Sequence, residues 1–194
     1  MAAHQKKTTH LRAILVFLDE SGLLMAPLVR RTWAPTGKTP CLFQRTRAHE
    51  KVSVIAALCI SPARETVRLY FRLHPDKNIR TVLVIDFLVN LMLHCRGSII
   101  LVWDRLQVHR SKKVQRFLGE SHRIRSFYLP PYAPELNPVE YVWGYLKRNP
   151  LANVAMSDSK ALGRVARSRG RSLQKKDRLL RSFITHSPLP LRLK

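Results

Sequence analysis

Two unbroken apolar runs, "RAILVFLDES" at 12–21 and "GSIILVWDR" at 97–105, each stop at an aspartate. Neither run alternates polar with apolar residues, so neither suits a strand with one wet face. Both suit strands buried on two sides, which is the situation of a sheet covered by helices. The two runs therefore point to an α/β fold. They also place Asp19 and Asp104 where two strands leave the core, the edge at which open α/β sheets gather functional groups.

Other segments fill in around these strands. "KVSVIAALCIS" at 51–61 and "ETVRLYFRL" at 65–73 are rich in β-branched and aromatic residues and read as two further strands of a meander. "RRTWAPTGKTP" at 30–40 has the Pro and Gly of a tight loop or hairpin. "DKNIRTVLVIDFLVNLMLHCR" at 76–96 reads as a helix, with Ile79, Val82, Leu83, Phe87, Asn90 and Leu91 near one face. A short helix at 111–120, capped by Ser111, and a last strand at 124–129 follow. Next come a proline-rich loop and a helix bearing Glu140. The order of three antiparallel strands, helix, strand, helix, strand, helix predicts a mixed sheet. Residues 151–194 form a basic, helix-leaning extension, in which Gly163 and Gly170 predict weak or broken helix.

The charge narrows the partner. The 194 residues carry 35 Lys/Arg against 12 Asp/Glu, a net +23. Solubility needs far less, so the field points to a polyanion, nucleic acid before an anionic membrane surface. The longest apolar stretch, 81–93, is too short to span a bilayer and contains Asp86 and Asn90. Cys41, Cys59 and Cys95 make neither a zinc pair nor a disulfide framework, which fits a cytosolic chain.

In so basic a chain the few acids are informative. Two strand-end aspartates and Glu140, which has 35 residues between it and Asp104, can meet at one point. Three converging carboxylates repel unless a cation joins them. Hard oxygen ligands suit Mg²⁺ or Mn²⁺, with substrate phosphates and water completing the shell. Each acid also has a plainer reading. Asn137-Pro138-Val139-Glu140 matches a capping box, in which Glu140 would reach back to its own helix start. Asp19 and Asp104 can be turn residues, and Glu20 can replace Asp19 as the ligand.

Four motifs in order, "FLDESG", "RRTWAPTGKTP", "VWDRLQVHRS" and "LPPYAPELNPVEYVWGYLK", resemble the catalytic domain of IS630 transposases in the Tc1/mariner group of DDE transposases. The resemblance covers about residues 10–150 and implies an RNase H-like fold for residues 1–150. It implies that Asp19, Asp104 and Glu140 hold two divalent ions, Mg²⁺ or Mn²⁺. It further implies cleavage of transposon ends and strand transfer into target DNA by a homodimer in a synaptic complex, in a bacterial cytoplasm at the nucleoid. Only 18 residues precede Asp19, too few for the helix-turn-helix region that the family carries, so the expected partners include such a protein from an upstream reading frame. His109, in the Asp104 loop, is expected beside the metals or on DNA. Arg105 departs from the family pattern and is expected to touch phosphate. Arg31, Trp33, Lys38 and Lys147 are further candidates for DNA contact; Trp33 equally suits packing under its loop, and Trp143 suits a core anchor. Rival readings are a decayed or domesticated transposase that only binds DNA, and another RNase H-like nuclease such as a junction resolvase.

Overall fold

The computed structural model describes residues 12–26, 29–41, 50–149, 151–153 and 156–194. Five strands make one sheet: β1 (Ile14–Leu24), β2 (Lys51–Ile60), β3 (Val67–Pro75), β4 (Ile99–Trp103) and β5 (Ile124–Tyr128). Their order is β3-β2-β1-β4-β5. β1 pairs antiparallel with β2, and β2 with β3, whereas β1–β4 and β4–β5 are parallel. This is the mixed sheet that the sequence predicts. The helices are α1 (Thr81–His94), α2 (Lys112–Glu120), α3 (Val139–Arg148), α4 (Ser159–Gln174) and α5 (Asp177–Thr185), with a single 3-10 turn at Pro134–Leu136.

The alternation of β1 splits its apolar run between two cores. Leu15 and Phe17 enter the cluster shared with α3, α4 and α5, while Val16 and Leu18 enter the one shared with α1 and α2. The same period of two sends Asp19 and Glu20, the next residues, to opposite faces of the sheet. This is the main way in which the fold positions the site.

The sheet-facing stripe of α1 is Val84, Phe87, Leu88 and Leu91, at the spacing of a single helix face. The face read from the sequence was rotated from this one, since Val82 is 66 % exposed. The sequence offers two apolar faces on this helix, and only packing against β1 and β4 selects between them. Ser111 caps α2 as expected, accepting from the Val114 N–H.

The two glycines of α4 do not weaken it. Both lie on its buried side, and a Cβ on Gly170 would stand 2.5 Å from the ring of Phe71. They let α4 approach β3 closely, and the chain breaks only at Lys175 and Lys176, between α4 and α5. Leu162, Ala166, Leu173, Leu180, Phe183 and Ile184 from these helices belong to the larger core. At about 2 kcal/mol for each fully buried large side chain, they account for much of the burial on that face. The three cysteines are two neighbours and one outlier. Cys59 and Cys95 are buried with sulfurs 3.9 Å apart, and Cys41 is exposed. No helix of the described residues is long and apolar enough to cross a membrane.

Candidate active site

Glu140 is placed by the segment before it. Asn137 is buried, and its Nδ2 donates to the Leu18 carbonyl of β1 at 3.1 Å, while its Oδ1 accepts from Val139 N–H at 3.3 Å. The proline loop is thereby tied to the strand that carries Asp19. Val139, Val142, Trp143 and Leu146 then form the buried stripe of α3. The capping box is not formed. α3 begins after Pro138 with no side-chain cap, and the exposed Glu140 carboxylate makes no hydrogen bond or ion pair among the described residues. The pattern fitted both roles, and the geometry leaves the carboxylate facing solvent rather than its own helix start.

Asp19 is 94 % buried, and its Oδ2 accepts a 2.7 Å hydrogen bond from the indole N–H of Trp143. Burial, and then the negative charges of Glu140, Glu20 and Asp104, push its carboxyl up to about 8 although the indole bond opposes them. Trp143 anchors the core as expected, and its bond to Asp19 is a function the sequence reading missed. The available signal was a tryptophan three positions beyond Glu140, since a buried indole N–H needs an acceptor. Lys147, seven beyond Glu140, donates from Nζ to Ser21 Oγ at 2.8 Å, which pins α3 to β1 two residues past Asp19.

On the other face His109 is fully buried and stacked on Trp103, with ring centroids 4.2 Å apart. Its Nε2 lies 2.9 Å from Glu20 Oε1 and its Nδ1 2.8 Å from Asp104 Oδ1. Burial disfavours the imidazolium, yet the bonds to both carboxylates and their charges push it up to about 9. Asp104 is partly exposed. Desolvation would raise its pKa, but the bonds from His109 and the Leu106 N–H, with the imidazolium charge, hold it below the ordinary value. Glu20 is thus engaged by His109, not by the acids across the sheet, and its other oxygen, Oε2, is buried without a hydrogen-bond partner.

Glu140 and Asp104 are close enough to Asp19 to raise its cost of ionising, but the three acids do not form a ready cage. Among the described residues no three acidic, histidine or cysteine side chains converge on one ion-sized point. The donor set is nonetheless carboxylate throughout, and a divalent cation would offset both the burial and the neighbouring charges that make Asp19 costly to ionise. These residues fit such an ion. Beside Asp104 an open groove is lined by Arg105, Gln107, Arg110, Ser111 and Lys112. Arg31 and Lys38 lie exposed in the segment after β1, and Trp33 there is wholly exposed, so it does not pack under its loop. That segment holds a turn, Lys38 N–H to Pro35 O at 3.0 Å, rather than paired strands.

The DDE superfamily endonuclease model matches residues 14–163, a span that contains all three acids. The chain belongs to the DDE superfamily of endonucleases. Solved structures of the Mos1 mariner transposase resemble this DDE endonuclease. Its paired-end complex with the left transposon end is 16% identical with a TM-score of 0.67. The Mos1 paired-end complex with Mn is 17% identical with a TM-score of 0.67, and the strand transfer complex 16% with 0.67. Each likeness covers 96% of this chain and 55% of the Mos1 chain, so the DDE endonuclease spans about half the length of those relatives. At such identities the likeness establishes the fold, which is RNase H-like. No curated protein matches the sequence.

Proposed function

We propose that this chain is the catalytic domain of a DNA transposase, cleaving transposon ends and joining them to target DNA with divalent metal ions. The observation that supports the reading is that Glu140 and Asp104 lie close enough to the buried Asp19 for their charges to raise its carboxyl. Burial is the larger cause of the raised Asp19 carboxyl, and the carboxylate charges add to it. Asp19 and Asp104 would hold Mg²⁺ or Mn²⁺ between them, and Glu140 would complete the site from the helix side. Bound there, the ions would activate a water or 3′-hydroxyl and stabilise the departing oxygen of an in-line displacement.

The chain's own groups orient these ligands. Trp143 occupies Asp19 Oδ2, which fixes the plane of the carboxylate. His109 and the Leu106 N–H hold Asp104 Oδ1, which leaves Oδ2 for a ligand. Asn137 sets the distance between β1 and the Glu140 helix. Arg105, Arg110 and Lys112 line a groove suited to the phosphates on either side of the reacting bond. Trp33, with Arg31 and Lys38, is exposed for DNA contact, while Lys147 is engaged with Ser21 and acts as a brace. The partners are transposon-end and target DNA, with a second copy in a synaptic dimer.

Nicking of supercoiled plasmid by the purified chain tests this. With Mg²⁺ or Mn²⁺ the wild type nicks, EDTA stops it, and Asp104→Ala and Glu140→Ala bind DNA but do not cut. Cutting by either variant at the wild-type rate would overturn the assignment. Metal-independent binding without cutting by the wild type, even with a helix-turn-helix partner supplied, would favour the reading as a DNA-binding remnant.

A further inference from the structure

Helix α4 carries no acid, and Lys160, Arg164, Arg167 and Arg171 occupy one side of it. Steps of four, three and four residues confine them to an arc of about 60°. All four are exposed, and among the described residues none forms an ion pair, the nearest acid being the N-cap Asp158, whose carboxyl feels the Arg164 charge. The arrangement opposes the helix's own stability. Lys160 and Arg164 sit near the positive end of the helix dipole, and like charges four apart repel. A surface charged only for solubility would scatter these cations and mix in acids.

We propose that this stripe is a second duplex-DNA site, distinct from the acidic site and from the Arg105 groove. It would grip the phosphate backbone of DNA flanking the reacting bond. The stripe spans roughly 17 Å at 1.5 Å per residue, about the length of five base pairs, and duplex DNA presents one charge per ~1.7 Å of axis. Its start lies at the right end of the sheet. Ser159 Oγ donates to Asp76 Oδ2 at 2.6 Å, beside Pro75 at the end of β3. Pro75 pairs with Val52, and Val52 with Leu23, four residues past Asp19 on β1. The stripe therefore begins two strands, about 10 Å, to the side of β1 and four residues, about 13 Å, along it from Asp19. Gly163 and Gly170 seat the helix close on β2 and β3, which holds the stripe rigidly at that distance. Such a row of cations contacts phosphates and reads no bases, so binding there is independent of sequence. The proposal uses the reading of the acidic site only to name the polyanion.

The test is the salt dependence of binding to a labelled duplex by the full chain. The variant Lys160→Gln/Arg164→Gln/Arg167→Gln/Arg171→Gln is compared with a scattered control, Lys77→Gln/Arg96→Gln/Lys113→Gln/Arg116→Gln, which loses the same charge. The stripe variant should flatten the slope of log K against log salt by about three to four units, from 0.9 per phosphate contact. The control should move it by less than half as much. Should the four-fold variant fail to fold by circular dichroism, Arg164→Gln/Arg167→Gln alone should flatten the slope by about two units. An unchanged slope overturns the proposal, as does an equal change in the control. Loss of binding to phosphatidylserine vesicles with an unchanged duplex slope would assign the stripe to a membrane surface instead. Glu140→Gln, measured alongside, should keep the wild-type slope. If it also nicks like wild type, the reading of the acidic site fails while the result for the stripe stands.

Discussion

Asp19 and His109 are both held in the protonated form at neutral pH, for opposite electrostatic reasons. Asp19 is a buried acid among acids, raised from 3.8 to about 8. His109 is a base clamped between Glu20 and Asp104, raised from 6.5 to about 9. Each folded-state value lies above the unfolded one, so each contribution to stability is full below the unfolded pKa and is lost as pH rises through the folded one. The metal-free protein should thus lose thermal stability between about pH 4 and pH 8 through Asp19 and between about pH 6.5 and pH 9 through His109, and Asp19→Asn should lose less of it over the first range. Parallel melting curves for the two proteins across this range would show that Asp19 is not raised. The indole bond predicts a second effect. In Trp143→Phe the carboxylate loses its donor, and divalent-ion affinity should fall by about 10- to 100-fold, as for other outer partners of metal ligands. A titration with Mn²⁺ checks this, and wild-type affinity in Trp143→Phe would reduce the indole to a core filler.

At the scale of elements, the glycines of α3 and α4 separate helix propensity from packing. A Cβ on Gly144 of α3 meets nothing within 4 Å, whereas one on Gly170 of α4 meets the Phe71 ring at 2.5 Å. Gly144→Ala should stabilise by about 1 kcal/mol. Gly170→Ala should destabilise by about 1–3 kcal/mol, since overpacking outweighs propensity. Urea unfolding at equilibrium distinguishes the two, and a stabilising Gly170→Ala would mean that α4 does not sit tightly on β3. The strands were legible because the apolar stretches at 14–18 of β1 and 99–103 of β4 are continuous, although β1 runs on through Asp19, Glu20 and Ser21 to Leu24. The face of α1 and the role of the α4 glycines were not, because both are decided by which strand lies opposite. At the site, Asp104 follows the end of β4 as expected, whereas Asp19, expected at a strand end, lies inside β1, which continues to Leu24 because its pairing with β2 outlasts its pairing with β4. The Glu20–His109–Asp104 chain could not be read from the sequence, since it joins residues 89 positions apart across the sheet. Nor could the choice between helix cap and free carboxylate at Glu140, which turns on the Asn137 N–H already donating to the Pro134 carbonyl at 2.8 Å.

For the molecule as a whole, a net charge of +23 surrounds one small acidic edge. Such a field would gather DNA, and a cation at the acids would let a phosphate approach them. Affinity for duplex DNA should therefore fall steeply with salt, by about 0.9 log units per log unit of salt for each phosphate contacted. A slope near zero would remove the basic surface from the account. The central claim is that Asp19, Asp104 and Glu140 together make a divalent-cation site. Mn²⁺ binding followed by electron paramagnetic resonance, at pH 6.5 and pH 8.5, tests it most directly. The account predicts saturable binding by the wild type that tightens at the higher pH as Asp19 gives up its proton, and at least about 10-fold weaker binding in Glu140→Gln. Wild-type affinity in Glu140→Gln, or binding indifferent to pH, would contradict it.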